Sequence, residues 1–228
     1  MPDDHRSALL RMHSGFWLKL SGSSDMNSEH RLLVILTKNP EAGHVKTRLA
    51  HTIGDNKALE IYEILRLHTA RVATLVEADR MVFYSRFIPS VDLFIADNFS
   101  VGMQNGNDLG ERMLHAIRNG FENGYHHVIL IGTDCYELNS QILEKAFSAL
   151  DGSDTVIGPA TDGGFYLIGM NKVIPELFLD RQWSTPEVLQ ESIAILQKLG
   201  TTYEQLPELS DIDTFDDLKK STLWTSLP

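Results

Sequence analysis

The sequence holds a single cysteine, Cys135, in 228 residues. No intrachain disulfide is possible, and that usage fits a reducing cytoplasm. Basic residues are scarce: 20 Lys and Arg stand against 31 Asp and Glu, a net charge of −11. That balance argues against a general binder of nucleic acid or of acidic membrane surfaces. No apolar run is long enough to span a bilayer, and none has the continuous apolar core of a signal peptide. The nine histidines are scattered and form no zinc-type spacing beside an acid. Internal repeats and low-complexity tracts are absent. A Walker A loop is also excluded, because it would need glycines where Pro40 and Val45 stand before Lys46-Thr47.

What is present falls into two parts. Residues 1–29 read as a flexible extension. A weak amphipathic stretch (Leu9, His13, Phe16, Leu20) is followed by the linker-like Ser21-Gly22-Ser23-Ser24-Asp25. Residues 30–228 read as one domain, long enough to bury a full core.

That domain is organised around the stretch from Leu32 to Leu49. Leu32-Leu33-Val34-Ile35-Leu36 is an unbroken apolar run, as expected for a strand buried on both faces of a parallel sheet. Lys38 stands where the strand ends. Pro40 and Gly43 impose an irregular loop. Lys46 and Arg48 follow two residues apart, and in an extended segment both would point to the same side. Cations gathered beyond the carboxyl end of a central strand suit a phosphate or diphosphate.

Further elements follow in alternation. A long helix is expected from Asp55 to Glu77, then strands at Met81–Tyr84 and Phe99–Gln104. Asp108-Leu109-Gly110-Glu111 has the spacing of a capping box and opens the next helix. Val128–Gly132 is a second fully apolar strand, ending in Thr133-Asp134-Cys135. A helix from Ser140 to Leu150 and a strand from Asp154 to Ala160 come next. Thr161-Asp162-Gly163-Gly164 is too short for a crossover, so Phe165–Gly169 should return antiparallel. A helix opened by Trp183-Ser184-Thr185-Pro186-Glu187 should reach Leu199. A short strand at Thr202–Leu206 and a closing helix through Leu218 complete a mixed, mainly parallel α/β sheet flanked by helices.

Several side chains carry two readings. Asp134, just past a buried strand, can hold Mg²⁺ or Mn²⁺ against a diphosphate, or fix a turn through its own backbone. Asp211 and Asp213 can add metal ligands, or cap the helix after Thr214. Asp108 can join the nucleotide contacts or simply cap a helix, with Arg112 able to reach a phosphate. Gly163 and Gly164 allow close backbone approach to a substrate, while Asp-Gly is also a strong hairpin signal. Trp183 can stack on a sugar or base, or sit half-buried in a loop. Cys135 has no histidine nearby in sequence to make it a nucleophile.

Taken together, these motifs resemble the DUF2064 family. They are Lys38-Asn39-Pro40 through Leu49, Gly106 through Met113, Ile131-Gly132-Thr133-Asp134-Cys135, Gly158 through Gly169, Trp183-Ser184-Thr185-Pro186 and Asp211-Ile212-Asp213-Thr214. The resemblance runs from about Arg31 to Leu218 in unbroken order. It implies the GT-A, nucleotide-diphospho-sugar transferase fold and a glycosyltransferase activity. Lys46-Thr47-Arg48-Leu49 and Asp211–Thr214 also resemble the 2-phospho-L-lactate guanylyltransferases. In both groups the first loop would bind nucleotide phosphates and Asp134 a divalent metal. The Asp-x-Asp of many GT-A glycosyltransferases is broken here, since Gly132 takes its first position.

Two transfers therefore compete. A sugar can pass from a nucleotide-diphosphate sugar to a small acceptor, with Asp162 as the candidate base. Alternatively, a nucleotidyl group can pass from an NTP with loss of pyrophosphate. Lys38, Lys46, Arg48, Asp108 and Arg112 are the expected nucleotide and phosphate contacts. A non-catalytic nucleotide-binding module is disfavoured, because it need not keep phosphate and metal groups together.

Overall fold

The computed structural model describes residues 30–227. The expected N-terminal extension, residues 1–29, lies outside them. Seven strands form one sheet in the order β3-β2-β1-β4-β6-β5-β7. They are β1 (Arg31–Thr37), β2 (Asp79–Tyr84), β3 (Ser100–Met103), β4 (His127–Ile131), β5 (Thr155–Pro159), β6 (Phe165–Met170) and β7 (Tyr203–Gln205). β1 pairs in parallel with both β2 and β4, β2 with β3, and β5 with β7. Only β6 runs antiparallel, against β4 on one side and β5 on the other. The carboxyl ends of the other six strands therefore share one edge of the sheet. The expected α/β class and the late reversed hairpin are what the chain forms.

The helices are α1 (Thr47–Ile53), α2 (Asp55–Thr74), α3 (Leu93–Ala96), α4 (Leu109–Glu122), α5 (Ser140–Leu150), α6 (Val188–Leu199), α7 (Phe215–Lys220) and α8 (Thr222–Ser226). Strand alternation sorts the core into two layers. Leu33, Ile35, Val82, Ile129 and Ile131 face Ala70 and Ala73 of α2 and Phe147 of α5. Leu32, Val34, Met81, Val128 and Leu130 face Met113, Leu114 and Ile117 of α4 and Leu189 and Leu196 of α6. A third cluster clamps α1 and α2 to the C-terminal helices through Leu49, Ile61, Leu65, Leu218 and Leu223.

One local reading needs correction. Lys46 and Arg48 do not lie on an extended segment: Lys46 is the left-handed N-cap of α1, with φ 48° and ψ 42°, and Arg48 is in the helix. Leu49, fully buried in the third cluster, drives that early helical turn. Pro186 also lies just before the helix it was expected to enter, since α6 starts at Val188. Asp108 caps α4 by accepting from the Glu111 N–H at 2.8 Å, but Glu111 turns back to the Asn107 N–H, so the capping box is only half made.

Candidate active site

In the sheet, β1 leads to β2 on one side and has β4 on the other, so the order reverses between β1 and β4. Open α/β sheets bind ligands outside the carboxyl ends of their strands at such a switch point. Here that crevice holds the loop after β1 and the turn after β4.

Lys46 reaches into it from the N-cap of α1. Its side chain is 4% exposed, and Nζ lies 2.5 Å from Asp134 Oδ1 and 3.9 Å from Asp213 Oδ1. Burial acts to lower the Lys46 pKa, but Asp134 above all, with Asp213 and Asp211, outweighs it and the pKa is raised. Arg48 Nη1 donates to Asp213 Oδ2 at 2.8 Å while most of its side chain stays in solvent.

Asp134 follows β4, and its carbonyl accepts from the Ile212 N–H at 3.0 Å. That bond places Asp211 and Asp213 on either side of it. Thr214, rather than Asp213, caps α7 in a reciprocal pair with Asp217, which leaves Asp213 for the two cations. Asp211 is partly buried. Loss of water around it, with the Asp134, Asp162 and Asp213 charges, raises its pKa to about 7 against the opposing pull of Lys46. Asp162 sits on the exposed β5–β6 turn, where its Oδ1 accepts from the Gly164 N–H at 2.9 Å.

The fold thus brings together Lys46, Arg48, Asp134, Asp211 and Asp213, with Asp162 close enough to act on Asp211. Lys38 is exposed at the end of β1, and only its backbone is pinned nearby. The Asp108 side chain is committed to capping α4, and Arg112 Nε donates to the Gly106 carbonyl at 3.1 Å. Gly163 is pressed against Pro186, and its carbonyl accepts from the Leu189 N–H at 2.9 Å. Trp183 is half-buried against Gly110, with the Arg181 guanidinium 4.9 Å from its ring centroid and Phe165 edge-on. Cys135 is buried, which pushes its thiol pKa up to about 12 and leaves it protonated.

The residue most absent from the sequence reading as a site component is Tyr62 of α2. Its hydroxyl accepts from the Lys38 N–H at 2.9 Å and lies 3.2 Å from Thr37 Oγ1, the Lys38 carbonyl and Thr133 Oγ1. It therefore ties the end of β1 to the end of β4. Arg66 extends the network: Nε donates to Thr37 Oγ1, and Nη2 donates at 2.7 Å to Asp92, which also takes the Tyr84 hydroxyl. Asn39, itself buried, ties the end of β1 to the loop after β2, accepting from the Arg86 N–H and donating to the Phe87 carbonyl. A tyrosine on the inner face of a helix needs a partner for its hydroxyl, and that requirement was the available signal.

The four carboxylates offer hard oxygen donors suited to Mg²⁺ or Mn²⁺. Among the described residues, no three His, Cys, Asp or Glu side chains already form a metal cage.

A model of the family described as "Uncharacterized protein conserved in bacteria (DUF2064)" matches residues 68–185. A Desulfovibrio desulfuricans protein named "putative nucleotide-diphospho-sugar transferase" is 31% identical, with a TM-score of 0.75 over 85% of this chain and 90% of that one. At 12% identity and a TM-score of 0.55, a CMP:2-keto-3-deoxy-manno-octonic acid synthetase complexed with CTP shares the fold over 86% of this chain and 98% of its own. So does the manganese complex of Rv0371C from Mycobacterium tuberculosis, at 12% identity and a TM-score of 0.51, over 84% and 97% of the two chains. No curated protein matches the sequence.

Proposed function

The chain belongs to the DUF2064 family, and on that premise we propose that it is a metal-dependent glycosyltransferase of the cytoplasm. It would move a sugar from a nucleotide-diphosphate sugar to a small acceptor. The observation that carries this reading is the alternation of charge at the switch point: Lys46 and Arg48 interleaved with Asp134 and Asp213 within 4 Å. Such a cluster neutralises a diphosphate and a divalent cation together.

Asp134, with Asp211 or Asp213, would hold Mg²⁺ or Mn²⁺. When bound, the cation supplies Lewis-acid stabilisation of the leaving diphosphate. Lys46, fixed in its charged form by the surrounding acids, faces the phosphates from within. Arg48 and Lys38 close on them from the solvent side. Asp162, exposed on the β5–β6 turn and near enough to act on Asp211, would accept the acceptor hydroxyl proton. Gly163, seated on Pro186, and Gly164 form the wall beside Asp162, and they and Trp183 would contact the sugar and acceptor.

The second reading is nucleotidyl transfer from an NTP, with pyrophosphate leaving. Gly132 favours it, since it removes the first acid of the Asp-x-Asp pattern that many GT-A glycosyltransferases carry. Lys46 and Arg48 would then hold the β- and γ-phosphates. One experiment separates the two: incubate the protein and Mn²⁺ with acceptor pools and either nucleotide sugars or NTPs. Release of nucleoside diphosphate and of pyrophosphate is assayed separately. Nucleotide-sugar turnover is the expected result. Acceptor-dependent pyrophosphate release from an NTP, without nucleotide-sugar turnover, would overturn it.

A further inference from the structure

We propose that the groove between α4 and the edge strand β3 is a second binding site, taking a phosphate monoester with a planar or apolar body. The groove, about 260 Å³ in volume, lies outside the Lys46–Asp134 cluster and shares no residue with it. It does not depend on the transfer chemistry assigned above.

The fold leaves this groove open for a definite reason. α4 buries Met113, Leu114 and Ile117 against β1, β2 and β4, which turns Arg112, His115 and Asn119 toward the short edge strand. β3 cannot fill the space. At Gly102 a Cβ would sit 2.7 Å from Phe83 Cε1, so the ring of Phe83 occupies the place of a side chain and floors the groove. Met103, beside it, is 40% exposed.

The walls are cationic in a chain of net charge −11. Arg112, His115 and Arg118 all line the groove. Arg112 Nε is anchored on the Gly106 carbonyl, which aims the guanidinium and leaves its terminal nitrogens to a ligand. Among the described residues no carboxylate pairs with Arg112 or Arg118. His115 adds an imidazole to the lining, its Nδ1 buried without a hydrogen-bond partner. Glu122 at one end of the groove would repel a second anionic terminus. The recognition chemistry is thus a single phosphate against the two arginines and the histidine, with its organic body laid on Phe83 and Met103.

The probe that tests this is phenyl phosphate, compared with inorganic phosphate by calorimetry and by amide chemical-shift mapping. Phenyl phosphate is expected to bind about tenfold or more tightly than inorganic phosphate, because burying the ring adds to the ionic contacts. Shifts should centre on Gly102 and Asn119. Arg118→Ala should weaken binding by about tenfold with an unchanged melting temperature, and Lys46→Ala should leave it intact. His115→Ala supplies a second variant if Arg118→Ala folds poorly. Equal affinity for the two probes, retained binding in both groove variants, or loss of binding in Lys46→Ala would each overturn the proposal. None of these outcomes bears on nucleotide turnover, so the groove and the transferase reading fail or stand separately.

Discussion

Lys46 Nζ meets Asp134 Oδ1 at 2.5 Å although the two residues come from different strand ends, one after β1 and one after β4. The contact spans the switch point of the sheet. It joins a lysine held with φ 48° to a carboxylate that is 47% exposed. The buried partner is the cation, and the acid is the side a ligand can reach.

Replacing Lys46 with Met should therefore weaken the fold modestly. The acid left behind can still be hydrated, so the loss should be about 1–3 kcal/mol rather than the 3–5 expected when both partners are buried. Urea unfolding at neutral pH measures it. A variant as stable as the parent would show that the ion pair contributes no net stability.

Asp211 makes the pH dependence specific. Its pKa stands near 7 in the folded chain, against an ordinary value of 3.8. Between those two values the folded state holds a proton that the unfolded state has lost. Asp211 therefore favours folding at low pH, and that contribution fades as pH rises through about 7. Asp211→Asn should remove this slope. Without metal, in EDTA, the variant should be more stable than the parent at pH 8, and the advantage should shrink toward pH 4.5. Parallel stability curves for the two proteins across that range would refute the assignment.

Much of this was legible in the chain, for physical reasons that differ by element. β1 and β4 announce themselves because a central parallel strand is apolar on both faces. The β5–β6 reversal follows from a connection too short to cross over. α1 was not legible, because its seven residues carry one buried side chain, Leu49, and no capping side chain. α3 and α8 are shorter still, with one buried residue each. At the site, Lys46, Asp134 and Asp213 were readable from their positions after strands. Their mutual arrangement was not, since the Ile212–Asp134 backbone bond joins segments far apart in sequence. Tyr62 lies within the expected Asp55–Glu77 helix, and helical periodicity places a ring there but says nothing of its hydroxyl.

Tyr62→Phe tests that hydroxyl. It removes one oxygen and leaves the Lys38 N–H and the Thr133 hydroxyl without their present partner. Unsatisfied buried groups cost about 1–3 kcal/mol, and that is the expected loss in denaturant unfolding. The ends of β1 and β4 should also loosen. Amide exchange at Lys38 and Asp134 should then speed up beyond what the global destabilisation accounts for. A uniform change across the sheet would reduce Tyr62 to an ordinary core residue.

Gly163 tests how the wall beside Asp162 is held. Its φ is +89°, and an added Cβ would fall 2.1 Å from the Pro186 carbonyl oxygen and 2.6 Å from Pro186 Cα. Those are backbone atoms, so no rotamer change relieves the clash. The Gly163 N–H donates to the Ala160 carbonyl and its own carbonyl takes the Leu189 N–H, which fixes the hairpin turn to the first turn of α6. Gly163→Ala should cost about 2–4 kcal/mol, combining left-handed strain with overpacking. Alternatively the turn separates from Pro186, and proteolysis between residues 182 and 187 then accelerates at little cost in melting temperature. Gly164→Ala is the control. Its backbone is not left-handed, and its nearest neighbour would be the Asp162 side chain at 3.2 Å, which can move. A Gly163→Ala variant that matches the Gly164→Ala control in both melting temperature and protease resistance would show that the Asp162 turn is not seated on Pro186. The wall assigned to the acceptor would then lose its support.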